Sequence, residues 1–167
     1  MYFIKDTALM FEGVDHLLKN NITLTGEYYL TDAFAYMISK GAKLKVLPVH
    51  GWFDSGKPET TLSSNRSLLK KHHKIHSLVT NSKIIAPISI GKNCTIDGCT
   101  IGPYVSIGDG CVVKDAKLEN SIVDCHSNIQ KIRLKNSLIG KHATVSCGCS
   151  DKSMTLLLGD HSTINVD

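Results

Sequence analysis

The sequence predicts two regions of different architecture: a partial α/β segment over residues 1–76 and a parallel β-helix of hexapeptide repeats over residues 77–167. Three observations carry that division. Up to about His76, apolar residues recur at helical spacing between recognisable caps and stops. After about Val79 that period vanishes, and aliphatic residues return every five or six positions. The pair aliphatic-Gly recurs as Ile90-Gly91, Ile101-Gly102, Ile107-Gly108 and Ile139-Gly140, the signature of a hexapeptide solenoid.

In chain order, Tyr2-Phe3-Ile4 is a short strand candidate. Asp6 is placed to cap a helix whose Leu9, Met10, Val14, Leu17 and Leu18 share one face, and Asn20-Asn21 ends it. Thr31 or Asp32 caps a second helix through Phe34, Met37 and Ile38, with Gly41 as its stop. Residues 43–49 read as a strand, Leu44 and Val46 alternating with Lys45 and Leu47, and Pro48 assigns it to an edge or a strand end. A third helix begins at Pro58, where a missing amide donor costs nothing, and continues through Leu62, Leu68 and Leu69. With few strands and no glycine-rich phosphate loop, this region reads as the end of something larger. Gly108-Asp109-Gly110 falls among the repeats and is not assigned as such a loop.

Ile90, Ile96, Ile101, Ile107 and Val113 are the clearest repeat series. Each repeat supplies one strand and one turn. The aliphatic side chain enters a triangular prism, the glycine relieves crowding at a corner, and stacked coils pair one another's backbone groups. Between Val113 and Ile139 the register loosens through Leu118, Ile122, Ile129 and Leu134, which predicts an irregular or bulged coil there. Leu156-Leu157-Leu158, then Gly159-Asp160-His161 and Ile164, are expected to form closing strands that cap the prism.

The 167 residues are 42% hydrophobic and 20% charged, with a net charge of +4. That composition supports a core and excludes global disorder. The charge is too small and diffuse to imply a nucleic-acid partner. Lys70, Lys71, His72, His73, Lys74 and His76 crowd the end of the third helix, where cations meet the negative end of the dipole; a solvated helix end explains them. No apolar run matches a bilayer span, and the first residues lack the basic and apolar parts of a secretory signal, so the expectation is no membrane and a cytoplasmic location. The six cysteines, Cys94, Cys99, Cys111, Cys125, Cys147 and Cys149, form no paired C-x-x-C arrangement. Free thiols are expected in a reducing compartment, Cys147 and Cys149 being the only close pair.

Two segments of the first region carry candidate chemistry. Glu27 follows Gly26, which permits close backbone approach to a ligand, and its carboxylate suits hydrogen bonds from vicinal sugar hydroxyls. Asp54 lies in a loop between a strand and a helix, beside Gly51 and Gly56, and offers a hard oxygen to a magnesium ion that keeps most of its water. The simpler alternative is that Asp32 and Asp54 cap helices and Glu27 is solvated.

The segments GEYYLTDA (26–33) and GWFDSGKPE (51–59), a following helix with Asn65-Arg66, the hexapeptide coils and the tail Leu158-Gly159-Asp160-His161-Ser162 together resemble the C-terminal part of the sugar-1-phosphate nucleotidyltransferases. The nearest type is the long, hexapeptide-tailed glucose-1-phosphate thymidylyltransferase or uridylyltransferase, and the resemblance runs from about Tyr2 to the end. It implies a partial α/β nucleotidyltransferase segment followed by a left-handed parallel β-helix. It also implies attack of a sugar 1-phosphate on the α-phosphorus of a nucleoside triphosphate, with pyrophosphate leaving and a magnesium ion stabilising charge. By position, Glu27 corresponds to the glutamate that binds sugar hydroxyls, with Gly26 beside it, and Asp54 to the second carboxylate holding magnesium. Lys57 is near enough in sequence to approach phosphate.

The family's glycine-rich loop, its following Arg and Lys and its first metal-binding aspartate have no counterpart here, so no catalytic residue is assigned and the chain by itself is expected to be inactive. A fragment, a half of a split enzyme and a remnant all fit that departure. The implied partners are a sugar 1-phosphate, a nucleoside triphosphate, and either copies of the same chain in a homo-oligomer or a missing N-terminal half. Two other readings remain: a hexapeptide acyltransferase using His126 or His142 as base, each equally explained as a solvated corner residue, and a non-catalytic assembly module.

Overall fold

The computed structural model describes residues 2–49, 51–148 and 152–166. The chain divides into two compact units, Met1–His50 and Gly51–Asp167. Three helices precede a parallel β-solenoid of about five turns.

In the first unit, helix α1 spans Thr7–Lys19 and helix α2 spans Leu30–Ser39. Asp6 caps α1 as its sequence position predicts, its Oδ1 accepting the Leu9 N–H at 2.9 Å. The cap of α2 is Tyr29, which makes no side-chain cap bond, rather than Thr31 or Asp32. Asp32 sits one turn inside, where its charge still favours the positive helix end. At the other end Gly41, at φ 92°, donates to Ile38 O at 2.9 Å, and Ala42 donates to Met37 O at 3.0 Å, so two otherwise orphaned carbonyls are satisfied. The helices pack through Leu17, Ala33, Phe34 and Met37, and the Tyr2 ring lies 4.8 Å from that of Phe34. The helices approach closely at Gly13, where a Cβ would lie 3.0 Å from Ala33 O.

The strands expected at 2–4 and 43–49 do not form. A strand requires a neighbour for its amides and carbonyls, and neither segment has one among the described residues. Val46 is 92% and Val49 77% exposed, so the apolar alternation faces solvent.

In the second unit, helix α3 spans Pro58–Leu69, with Pro58 in its first turn. It packs on the solenoid through Asn65, whose Oδ1 accepts the Ser106 hydroxyl at 2.6 Å and whose Nδ2 donates to Tyr104 O at 3.4 Å. The basic run that follows is exposed to His73, and Lys74–Ile75 then form the first solenoid strand.

The solenoid has three parallel sheets. One contains Lys74–Ile75, Ile88–Ile90, Val105–Ile107, Ile122–Val123, Leu138–Ile139 and Leu157–Leu158. The second contains Val79–Thr80, Thr95–Asp97, Val112–Lys114, Asn128–Gln130, Thr144–Cys147 and Thr163–Val166. The third contains Lys83–Ile84, Thr100–Ile101, Lys117–Glu119 and Arg133–Lys135. Ile90, Ile96, Ile101, Ile107 and Val113 all point inward and are at most 3% exposed. The glycines work as expected: a Cβ at Gly108 would lie 2.7 Å from Cys125 N in the next coil.

The loosened register between Val113 and Ile139 is not an irregular coil. Register partners step 17 residues from Ile90 to Ile107, then 16 to Val123 and 16 to Ile139. The shorter coils lack one residue at the corner that carries Pro87 and Pro103 in the coils before them. Leu118, Ile129 and Leu134 therefore stay inward, whereas Ile122 pairs with Ser106 on the outer side and Val123 takes the core position. The departures in this sheet fall at its two ends, 15 residues from Ile75 to Ile90 and 19 from Ile139 to Leu158. The predicted closing strands form at the second of these ends, at Leu157–Leu158 and Thr163–Val166.

Cys94, Cys99, Cys111 and Cys147 are buried and Cys125 half-buried, all as free thiols; Cys149 lies outside the described residues. Cys94 Sγ donates to Gly108 O at 3.1 Å, in the next coil Cys111 Sγ to Asp124 O at 3.0 Å, and in the one after that Ser127 Oγ to Gly140 O at 2.8 Å. Cysteine and serine thus fill one structural role. Burial pushes the Cys111 thiol up to about 11, so it stays protonated and unreactive at neutral pH.

Candidate functional site

Gly26 and Glu27 belong to the first unit, between α1 and α2. Leu24 N–H donates to Glu27 O at 3.0 Å and Glu27 N–H to Leu24 O at 3.1 Å, closing a tight turn. Its central residues have φ 54° at Thr25 and φ 84° at Gly26, the mirror-image turn that glycine adopts freely. Thr25 is β-branched and pays strain there, which its hydroxyl bond to Leu24 O at 2.7 Å partly offsets. The turn leaves Glu27 exposed, with Tyr29 Oη donating to Oε2 at 3.2 Å. Tyr28 and Tyr29 line an open apolar cleft with Val14, Leu17, Leu18, Leu30 and Ala33. A carboxylate beside aromatic rings suits a sugar, whose hydroxyls donate to the carboxylate while its C–H faces contact the rings. The sequence reading gave Thr25 and Tyr29 no role, although both lie in or beside the segment it singled out.

Asp54 belongs to the second unit, in the loop before α3. Its Oδ1 accepts the Gly56 N–H at 2.9 Å, and the loop is latched to the helix by Ser64 Oγ to Asp54 O at 3.4 Å and Thr61 Oγ1 to Ser55 O at 3.1 Å. The helix cap is Lys57, so Asp54 is not a capping residue, and neither is Asp32. Lys57 N–H donates to Thr60 Oγ1 at 3.2 Å. The Asp54 carboxylate is exposed, and a carboxylate oxygen is the hard donor type that magnesium takes. Among the described residues no group of three or more His, Cys, Asp or Glu forms a self-sufficient metal cage.

His126 and His142 are brought together with His161, which the sequence reading left in the tail. Their rings stack at 5.1 Å and 5.0 Å between centroids, with interplanar angles of 11° and 17°. Each occupies an exposed corner in the left-handed region, at φ 60°, 56° and 58°. The signal was present in the spacing: 16 and 19 residues separate them, the same steps as the coils. Desolvation lowers the His142 pKa, aided by the charges of His161, His126 and Lys141 and opposed by Asp160. Stacking on one another is the contact these rings make, at 5.1 and 5.0 Å between centroids.

No family model matches the chain. Among curated proteins, glucose-1-phosphate thymidylyltransferase of Streptomyces antibioticus is 29% identical over 163 residues, covering 84% of this chain and 46% of the relative. The probable mannose-1-phosphate guanylyltransferase 3 of Oryza sativa subsp. japonica is 35% identical over 126 residues, 72% of this chain and 35% of the relative. Residues 77–167 are only 91 of the 167, so matches of this extent reach beyond the solenoid into the residues that precede it, Asp54 among them. The chain is homologous to the C-terminal part of sugar-1-phosphate nucleotidyltransferases. The names of the first two differ in both sugar and nucleotide; bifunctional protein GlmU of Janthinobacterium sp. (strain Marseille) is 24% identical over 155 residues, 85% of this chain and 34% of the relative. The chain spans about half the length of the first curated relatives it matches. No helix among the described residues is long and apolar enough to cross a membrane.

Proposed function

We propose that this chain supplies the sugar-contacting and one metal-contacting part of a nucleotidyltransferase that converts a sugar 1-phosphate and a nucleoside triphosphate to a nucleotide sugar and pyrophosphate. The observation that carries the reading is the extent of the homology, which takes in the helical region as well as the repeats. In this reading Glu27, presented by its strained turn beside Tyr28 and Tyr29, accepts hydrogen bonds from sugar hydroxyls, with Gly26 keeping the backbone clear. Asp54 gives one oxygen to magnesium, which when bound offsets phosphate charge during transfer. Lys57, next to that loop, faces the same phosphates.

The nucleotide-binding elements of the reaction are absent from these residues, so the active form is completed by a nucleotide-binding α/β half, in the cytoplasm where free thiols persist. The exposed Phe11, Leu24, Val46 and Val49 support association with further protein, whether that half or a second copy. The test is pyrophosphate release from glucose 1-phosphate, magnesium and each of several nucleoside triphosphates. We expect no turnover by the chain alone, turnover after addition of the N-terminal half of a relative, and a loss of about 100-fold or more with Asp54→Ala. Silence even with the added half would replace this reading with the assembly module.

A further inference from the structure

The column of corner residues that holds His126, His142 and His161 begins with Asn93 and Gly110, at φ 56° and 68° in the preceding coils. Imidazoles therefore stack on one another only in the C-terminal coils. Each rung is tied to the one before it by a backbone bond at the corner: His126 N–H to Asp109 O at 2.8 Å, His142 N–H to Cys125 O at 3.0 Å and His161 N–H to Lys141 O at 2.8 Å. Neutral imidazoles stack favourably, whereas adjacent imidazolium ions about 5 Å apart repel.

We propose that this histidine ladder is a pH-sensitive element that loosens the C-terminal coils of the solenoid on mild acidification. The middle ring is the decisive one because it faces a histidine on both sides. Lys141 adds to the repulsion, and Asp160, whose Oδ1 is engaged by the Lys141 N–H at 2.8 Å, opposes it. The lowered pKa of His142 has the matching sign: the folded chain binds this proton less readily than the unfolded chain. Stability therefore falls as pH drops below the ordinary imidazole value of about 6.5 and through the lowered one. The strands that feel it are Thr144–Cys147 and Thr163–Val166, which follow the two last rungs and pair with each other.

The test compares the wild type with His142→Asn in thermal melts from about pH 7.5 to about pH 5, with hydrogen exchange read as protection factors. Asn already occupies this column at Asn93 in the left-handed region, so the variant keeps the corner. We expect the melting temperature of the wild type to fall by a few degrees more than that of the variant over this range. We also expect protection to drop at 144–147 and 163–166 while it holds at 95–97 and 105–107. An equal fall in both proteins, or uniform loss of protection along the solenoid, overturns the proposal. Should the variant not fold, imidazole titration by NMR in the wild type decides: His142 titrating below the ordinary imidazole value of about 6.5 supports the ladder, and titration at or above that value refutes it.

Discussion

The solenoid and the helical unit bury their apolar residues to very different degrees. In the solenoid every inward position from Ile88 to Val145 in the three sheets is nearly closed to solvent, with Ile88, Ile101 and Ile129 at 0%. In the helical unit Phe11 is 72%, Leu24 62% and Val46 92% exposed, though these residues are no less apolar. The difference is one of range. A coil of 16 or 17 residues meets its neighbours one coil away in sequence, so the repeat supplies its own partners. Within the helical unit, α1 and α2 meet along one stripe of each helix, and that contact does not extend to the rest of their apolar residues.

The sharpest way to break this comparison is to charge the solenoid core. Ile101→Asp places a carboxylate at a fully buried position with no partner, and a loss of about 3–5 kcal/mol is expected in denaturant titration, enough to abolish the solenoid transition. Unchanged unfolding would remove Ile101 from the core. Next in size is Gly108→Ala, whose Cβ must displace the Cys125 backbone; calorimetry should register about 1–3 kcal/mol, and a neutral result would show that the coils have room.

A change confined to the helical unit sharpens the contrast. Asp6→Ala removes the cap bond to Leu9 and should cost α1 about 1 kcal/mol, visible as faster amide exchange at 7–10 with no change in the solenoid strands. The smallest effect is at Asp97, whose carboxylate is held below the usual range by hydrogen bonds from Thr80 and Asn81, each 2.9 Å long. A depressed carboxylate contributes stability above its unfolded value of about 4 and loses it as pH falls through the folded one. The melting curves of the wild type and Asp97→Asn should therefore differ at neutral pH and converge on acidification below about pH 4; parallel curves down to acid would deny the bonds any net effect.

Much of this was legible along the chain because it depends on neighbours in sequence. The Asp6 cap, the Gly41 stop, the Pro58 start and the aliphatic-Gly series are decided within a turn or a coil. The strands at 2–4 and 43–49 were misread because alternation specifies a strand only when another strand is there to pair with it. Ile122 faces outward because Val123 keeps register with Ile107: with one corner residue fewer, the inward position falls five residues after Leu118 instead of six, which spacing along the chain does not show. Of the candidate site, Glu27 and Asp54 were identifiable by residue and motif. The strained turn at Thr25, the Tyr29 contact and the Gly56 bond to Asp54 were not, since they depend on backbone angles that no periodicity records.

The sequence by itself determined the order of three helices and a repeat solenoid, the residues that fill the solenoid, and the kinship with sugar-1-phosphate nucleotidyltransferases, because each is written in spacings that local chemistry enforces. Only the tertiary structure decided which residue of each short coil faces inward, that α3 docks on the solenoid through Asn65, and that three histidines far apart in the chain form one stack. Those outcomes depend on coil length accumulated over many residues, and one residue more or less at a corner changes which side chains meet.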